Sequence, residues 1–196
     1  MRLCVYCASQ PGNKPVYRQS ARELGRLLAE QDIGLVYGGN LQGLMGEVAT
    51  AALEAGGEVI GIMPRVLATI EHVHPGLTEL HFVETLHERK AKMIELSNGS
   101  IIMPGACGTM DELFEQLTWL HVGLHDKPCA ILNVNGFYNH LVALIERMVE
   151  DGFLLPTHRD GLIVAADPAS LLEKFHNWKP LPPVWGLRFQ KEQEAA

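Results

Sequence analysis

Residues 100–121 read SIIMPGACGTMDELFEQLTWLH. The short apolar run at 101–103 predicts a buried strand, which Pro104 and Gly105 end. After a turn of small residues, apolar side chains recur at helical spacing from Leu113 onward and predict a helix. A strand, a glycine-containing turn and a helix direct free backbone N–H groups and the positive end of the helix dipole toward an anion. The stretch therefore predicts an anion site at this turn.

A carboxylate, Glu112, falls in the first turn of the helix predicted here. An acid beside a phosphate site indicates chemistry on a phosphorylated substrate. The spacing of Thr109 and Glu112 is also that of a capping box, in which the glutamate only accepts a hydrogen bond from the backbone. The sequence leaves both interpretations open.

The rest of the chain alternates continuous apolar runs with amphipathic segments, which is typical of a parallel sheet covered by helices on both faces. We predict an α/β, doubly wound, mostly parallel and Rossmann-like sheet of about seven strands in one domain over residues 1–180. A tail at 181–196 is Pro-rich and then charged. Residues 65–79 show no period and are predicted to form a loop. Strands are predicted at 2–8, 33–37, 58–63, 80–83, 101–103, 129–133 and 162–165, and helices at 14–31, 44–55, 86–97, after 108, at 138–150 and at 168–177.

Ligands of such sheets bind beyond the carboxyl ends of the strands. Ser9, the Gly38-Gly39 pair and Gly105 each follow a predicted strand, so we expect them to share one site. The segment 38–43 has the length of a P-loop but lacks the lysine and hydroxyl residue of an NTPase, and it is not a dinucleotide fingerprint. It suits a monophosphate or a ribose, or it is a tight strand-to-helix turn without a ligand.

Two charged or histidine-rich segments have alternative interpretations. Arg89 and Lys90 either grip a phosphate or carboxylate or belong to a solvated charged face. His121 and His125 are four residues apart, as in some metal sites, but no third ligand is indicated, so we predict no metal.

Composition excludes several classes of protein. A net charge of −7 over 196 residues argues against a nucleic-acid partner, and no apolar run reaches the roughly 20 residues of a membrane span. Four cysteines suit a reducing compartment, and the first residues lack the apolar stretch of a signal peptide. We expect a cytoplasmic protein.

Several of these segments, taken together, resemble the motifs of a known family. The segment PGACGTMDE at 104–112 resembles the PGGxGTxxE signature of the LOG (Lonely Guy) family of cytokinin riboside 5′-monophosphate phosphoribohydrolases. The similarity extends over about residues 2–175. It includes VYGGNLQGLMG at 36–46, VIGIMP at 59–64, LHERKAKM at 86–93, LTWLHVGLHDKP at 117–128 and LNVNGFYNHL at 132–141.

The resemblance implies hydrolysis of the N-glycosidic bond of adenine-type nucleoside 5′-monophosphates, which releases the free base and ribose 5-phosphate. It implies no cofactor, and it implies a homodimer in which helices of each subunit complete the other's site. A broad AMP or nucleotide monophosphate nucleosidase and a non-catalytic nucleotide-binding module on the same fold are the alternatives. The family is often labelled lysine decarboxylase, but no lysine lies in a setting that indicates a pyridoxal phosphate Schiff base.

The resemblance also implies roles for individual residues. Arg89 and Glu112 match the catalytic pair of the family. Ala106 replaces the second glycine of the signature and Asn40 replaces a third glycine, which adds a side chain where the backbone approaches a ligand. The residues predicted to bind substrate or phosphate are Ser9, Gly39, Asn40, Gly43, Glu71, Lys90, Gly105, Ala106, Gly108, Thr109, Asp111 and Thr118.

Overall fold

The structure, a computed structural model, describes residues 1–180, and the predicted tail at 181–196 lies outside them. Seven strands form one sheet in the order β4-β3-β2-β1-β5-β6-β7, and every neighbouring pair is parallel. The strands are β1 (Arg2–Tyr6), β2 (Gly34–Tyr37), β3 (Val59–Pro64), β4 (Glu79–Val83), β5 (Ser100–Ile102), β6 (Cys129–Leu132) and β7 (Ile163–Ala165). The predicted α/β, Rossmann-like sheet is confirmed.

Helices connect the strands and cover both faces of the sheet. They are α1 (Pro15–Glu30), α2 (Gly43–Glu54), α3 (Leu86–Glu95), α4 (Cys107–Val122), α5 (Asn139–Glu150), α6 (Pro156–Asp160) and α7 (Pro168–His176). Leu24, Val48 and Leu171 bring α1, α2 and α7 into one buried cluster on the first face. Met93 and Leu113 bring α3 and α4 into a second cluster on the other face. Within residues 1–180, no helix is long and apolar enough to cross a membrane.

The direction in which successive strands are added to the sheet reverses between β1 and β5. From β1 the chain steps outward to β4, and β5 then returns to the other side of β1. In open α/β sheets the crevice beyond the carboxyl ends at such a point is where ligands bind. Two backbone bonds join the strand ends there: Met103 N–H donates to the Tyr6 carbonyl at 2.9 Å, and Ala8 N–H donates to the Pro104 carbonyl at 3.1 Å.

Two segments differ from the sequence predictions. The predicted loop at 65–79 contains a short 3-10 helix, Leu67–Thr69, and an isolated bridge between Val73 and Asn40. Helix α6 was not predicted, because five residues are too few to show a helical period. Neither difference moves a strand.

Candidate active site

Helix α4 starts three residues earlier than a capping box with Thr109 as N-cap requires. Its first residue is Cys107, and its N-cap is Ala106, which has extended backbone angles (φ −102°, ψ −153°) and makes no side-chain cap. Thr109 is therefore the buried third residue of the helix, and Glu112 is the sixth, in the second turn rather than the first. The capping-box interpretation of Glu112 is wrong. Alanine also fits position 106, because no positive φ is needed there.

The first turns of α4 and α2 differ in what their N–H groups bind. Within residues 1–180, the amides of Cys107, Gly108 and Thr109 donate no hydrogen bond. In α2, the amides of Leu44 and Met45 both donate to the carbonyl of Ala8, at 3.0 and 3.3 Å. Because free N–H groups and the helix dipole together attract an anion, α4 offers the better phosphate site.

The glycine-rich segment before α2 is shaped by the backbone itself. Gly39 and Gly43 have φ of +80° and +62°, a conformation that other residues rarely adopt. A Cβ at Gly43 would collide with the backbone of Ser9. The side chain of Asn40 is buried, and its Oδ1 accepts from the Gln42 amide at 2.8 Å. These contacts favour the tight-turn interpretation of 38–43, and substrate contacts of these residues stay predictions.

Glu112 lies in an environment that disfavours its charge. Burial raises the pKa of its carboxyl to about 7, and the negative charge of Asp111 adds to this, while Arg89 acts in the opposite direction. The carboxylate enters none of the ion pairs formed within residues 1–180. A carboxyl group that is half ionised near neutral pH suits proton transfer or stabilisation of a developing cation.

The catalytic partner predicted for Glu112, Arg89, is 7% exposed. Its Nε has no hydrogen-bond partner within residues 1–180. The guanidinium lies directly against Gly38, where an added Cβ would collide with Nη2 and would lie 2.9 Å from Cζ. The Gly38-Gly39 pair was expected at the site, but Gly38 is not among the residues predicted to bind the substrate or phosphate. The Gly-Gly pair after a strand was the available signal, but only the fold shows that the first glycine accommodates an arginine.

Lys90 is occupied by partners within the chain. Its Nζ lies 2.8 Å from Asp111 Oδ2 and 2.7 Å from Glu115 Oε2. Burial alone would lower its pKa, but the hydrogen bonds that the ammonium donates to the two carboxylates outweigh this effect and raise it. The predicted substrate contacts of Lys90 and Asp111 are untested, and Glu115 was not predicted.

The two glycines around the turn between β5 and α4, Gly105 and Gly108, differ in the space beside their Cα atoms. A side chain packs against Gly105, and no atom lies near Gly108. An added Cβ at Gly105 would collide with the side chain of Thr109, so this glycine allows the threonine to pack. At Gly108 an added Cβ would meet no atom within 4 Å. Gly108 consequently has no structural reason to lack a side chain, and the space over it is available to a ligand.

Glu71 and Thr118 lie in different surroundings. The segment that follows Glu71 is bound to the glycine turn, since His74 N–H donates to the Gly39 carbonyl at 3.0 Å, and Glu71 Oε2 is buried without a partner within residues 1–180. Thr118 is six residues, or about 9 Å, along α4 from Glu112. It lines an apolar cavity of about 150 Å³ between α4, α5 and α6, so the fold does not bring it to the α4 N-terminus.

A tyrosine that sequence reasoning missed also borders the site. The hydroxyl of Tyr6, the last residue of β1, is buried without a partner within residues 1–180. Burial raises its pKa well above the ordinary value, and the charge of Glu112 contributes. Tyr138 donates to the Met103 carbonyl at 2.7 Å and so supports the β5–α4 turn from below.

His121 and His125, the two histidines spaced four residues apart, do not converge on a common point. The rings of His121 and His158 are stacked with centroids 4.4 Å apart, whereas His125 packs edge-on against Trp119. In the part of the chain that the structure describes, no group of three or more metal-binding side chains occurs.

Comparison with known proteins places this geometry in a family. A family model described as "Possible lysine decarboxylase" matches residues 45–175. A cytokinin riboside 5′-monophosphate phosphoribohydrolase of Rhodococcoides fascians is 47% identical over 166 residues, which is 84% of this chain and 84% of that protein. The enzyme of the same name from Arabidopsis thaliana, LOG1, is 41% identical over 91% of this chain and 84% of its own length. The chain belongs to the LOG family.

Solved structures agree with this assignment to the LOG family at the level of the fold. The X-ray structure of TM1055, a structural-genomics target, has a TM-score of 0.70 and 25% identity, and it covers 90% of this chain and 98% of its own. A molybdenum cofactor carrier protein from Chlamydomonas reinhardtii has a TM-score of 0.68 at 20% identity, over 90% of this chain and 96% of its own. At that identity the likeness concerns the fold alone.

Proposed function

We propose that this chain hydrolyses the N-glycosidic bond of cytokinin-type adenosine 5′-monophosphates and releases the free base and ribose 5-phosphate. The observation that carries the proposal is the position of Glu112, which has a pKa of about 7 and lies one turn beyond the open N-terminus of α4. The relatives at 41% to 47% identity are named as phosphoribohydrolases of these nucleotides, which supports the same activity.

The phosphate of the nucleotide would bind the free amides of Cys107, Gly108 and Thr109, where the helix dipole favours negative charge. The open space over Gly108 leaves room for it. This placement directs the ribose along α4 toward Glu112. We propose further substrate contacts for Ser9, Gly39, Asn40, Gly43 and Glu71, which lie around the same crevice.

Cleavage of the ribosyl C–N bond develops positive charge on the sugar. The ionised Glu112 stabilises this charge and accepts a proton from the water that attacks C1′, while the base departs and takes a proton from solvent. Arg89 holds Glu112 partly ionised, since its positive charge opposes the effect of burial on the carboxyl pKa. With Gly38 behind it, the guanidinium also has a fixed position.

The test is base release by purified protein from AMP and from N6-isopentenyladenosine 5′-monophosphate, with adenosine as the control without a phosphate. We expect release from the N6-substituted nucleotide with the higher kcat/KM, and none from adenosine. Equal kcat/KM values for both nucleotides would favour the broad nucleosidase. Binding of nucleotide without base release would favour the non-catalytic module.

The lysine decarboxylase label of the family model does not fit the lysines of this chain. A Schiff base requires a neutral amine. Lys90, the buried candidate, is held by two carboxylates that keep it charged. Lys127 donates to the Ile94 carbonyl at 2.6 Å and closes the end of α3.

We also propose a cytoplasmic homodimer that takes a nucleoside monophosphate and no nucleic acid. Apolar side chains on the α4–α6 surface support an interface, above all Phe153, which is 87% exposed, together with Phe114 and Leu144. Dimerisation there would give Thr118 a role, because the threonine would face the partner's site rather than its own. Sedimentation of the wild type and of Phe153→Asp tests this. A wild-type monomer would contradict it.

A further inference from the structure

The first three turns of α4 carry three acidic residues, Asp111, Glu112 and Glu115. Glu115 is three residues after Glu112 and four after Asp111, so its carboxylate neighbours both of the others on the helix surface. Like charges at such spacing repel and raise one another's pKa. Both Asp111 and Glu115 do raise the pKa of Glu112. A cation that neutralises Asp111 and Glu115 would leave Glu112 as the one carboxylate of the three whose charge is available to the substrate.

Lys90 on α3 supplies that neutralisation. Its ammonium binds Asp111 at 2.8 Å and Glu115 at 2.7 Å, and the lysine side chain is only 6% exposed. The two ion pairs differ in burial, since Glu115 is 20% exposed and Asp111 is 64% exposed. Because exposed pairs are screened by water and salt, the bond to Glu115 is the stronger of the two.

The same bonds fix the position of the catalytic pair. Arg89 immediately precedes Lys90 on α3, and Glu112 lies between Asp111 and Glu115 on α4. When Lys90 ties α3 to α4, the separation of Arg89 from Glu112 is set as well. The ammonium has three N–H donors, and two of them bind these carboxylates.

Building on the proposed function, we propose that Lys90 is a positioning residue, and that Glu115 is its main anchor. Lys90 neutralises Asp111 and Glu115 and holds α3 against α4, and so it sets the charge around Glu112 and the distance of Glu112 from Arg89. Glu115 takes no part in binding or chemistry and acts only through Lys90.

The other groups that face Glu112 carry no charge near neutral pH. On β1 these are the Cys4 thiol and the Tyr6 hydroxyl, directly after β1 it is the Cys7 thiol, and before α5 it is the Tyr138 hydroxyl. Burial raises the pKa of each of them. Besides burial and the charge of Arg89, the pKa of Glu112 therefore depends on Asp111, Lys90 and Glu115.

The experiment is the pH dependence of kcat/KM for base release in wild type, Lys90→Met and Glu115→Gln. Lys90→Met leaves two uncompensated negative charges, and we expect the acid limb to move up by about one pH unit. Glu115→Gln removes a negative charge, and we expect a shift in the opposite direction. Asp111→Asn should shift the limb the same way as Glu115→Gln, but less, because it is exposed.

Two further variants make the test independent of misfolding. The double variant Lys90→Met/Glu115→Gln removes the buried ion pair and should bring the limb back toward the wild-type midpoint. Lys92→Met is the matched control, since Lys92 lies on α3 in an exposed pair with Glu95 and should leave the midpoint unchanged. An unchanged midpoint in both Lys90→Met and Glu115→Gln overturns the proposal. A raised KM alone in Lys90→Met also overturns it, because that result identifies a substrate ligand.

The pH midpoint of Glu112 ionisation can also be measured without turnover. The ¹³C signal of the Glu112 carboxyl carbon, identified by its absence in Glu112→Gln, reports the ionisation of this group directly. Opposite shifts of this signal in Lys90→Met and Glu115→Gln support the positioning role even if no base is released, in which case only the proposed function fails. Base release by wild type with an unmoved carboxyl titration overturns the inference and leaves the function standing.

Discussion

Two arginine–glutamate pairs lie at opposite ends of the strands of the sheet. One is at the amino ends, which we call the amino edge, and the other is beyond the carboxyl ends, which we call the carboxyl edge. At the amino edge, Arg2 binds Glu58 through two bonds of 2.7 Å, one from Nε and one from Nη2. These hydrogen bonds lower the pKa of Glu58. At the carboxyl edge, burial raises the pKa of Glu112 to about 7 although Arg89 is near, and Arg89 Nε has no partner within residues 1–180.

The difference shows how the same residue types serve two purposes. A forked arginine–carboxylate pair with both bonds made is stable as it stands and has nothing left to offer a ligand. A buried guanidinium and carboxylate without that geometry keep unused hydrogen-bonding capacity and a charge that the protein disfavours. A nucleotide whose sugar becomes positive relieves this unfavourable state. The carboxyl edge is consequently where chemistry is expected.

The largest effect we predict is on turnover. Replacing Glu112 by Gln removes the charge but not the shape, and kcat should fall by about 10²–10³-fold, as for the loss of other preorganised charges. Glu58→Gln is the matched control at the other edge and should leave kcat unchanged. Steady-state base release measures both. Full turnover in Glu112→Gln would assign the reaction to another group.

Glu112→Gln should raise the stability of the protein at alkaline pH although it lowers activity. Since the folded pKa of Glu112, about 7, is above the ordinary value of 4.5, its ionisation destabilises the fold progressively as pH rises from 4.5 to 7. Glu112→Gln should therefore be more stable than wild type at pH 8, by up to about 3 kcal/mol, and equal to it at pH 4. Urea unfolding at the two pH values measures this.

Glu58→Gln gives the contrasting pH dependence. The folded pKa of Glu58 is lowered, so its contribution to stability is present above pH 4.5 and is lost as pH falls through the folded value. With both side chains about one-third exposed, the loss should be at most about 1 kcal/mol at pH 8. If the two variants changed stability in the same direction at pH 8, the contrast between the edges would be wrong.

Sequence patterns predicted the sheet because most of the strands are local apolar runs, several of them with glycine or proline at one end. They also singled out Arg89 and Glu112 through the resemblance to the LOG family. They did not predict the start of α4, because Thr-x-x-Glu mimics a cap whether or not the helix has begun. The bonds of Lys90 span 21 and 25 residues, and the contact between Gly38 and Arg89 joins two different elements. Such pairings arise only when the strands are ordered in the sheet.

A smaller effect on turnover is expected from Gly38→Ala. The backbone of Gly38 does not have positive φ, so alanine is compatible with it. The new methyl group would meet the ends of two flexible side chains, Arg89 Nη2 and Met45 Sδ, and the guanidinium would move aside. Because small displacements of catalytic groups are costly, kcat should fall by about 10- to 100-fold, with little change in melting temperature. Steady-state kinetics and thermal unfolding measure the two quantities.

Gly56→Ala is the control for Gly38→Ala. Gly56 has φ of +82° and no atom near an added Cβ, so alanine should strain only the backbone after α2, at a cost of about 1 kcal/mol. Turnover should be unchanged. If Gly38→Ala reduced stability more than Gly56→Ala while retaining kcat, Gly38 would be a packing residue rather than the support of Arg89.

The smallest effect, at Gly108, separates a structural glycine from one kept open for a ligand. Gly108 is the second residue of α4, and alanine there would meet no atom within 4 Å. The free protein should gain about 0.5–1 kcal/mol of stability, because alanine is the better helix former. KM for the monophosphate should nonetheless rise several-fold, since the methyl group occupies the space proposed for the phosphate. A more stable variant with unchanged KM would move the phosphate away from the α4 N-terminus, and Glu112 would then lose its proposed place opposite C1′.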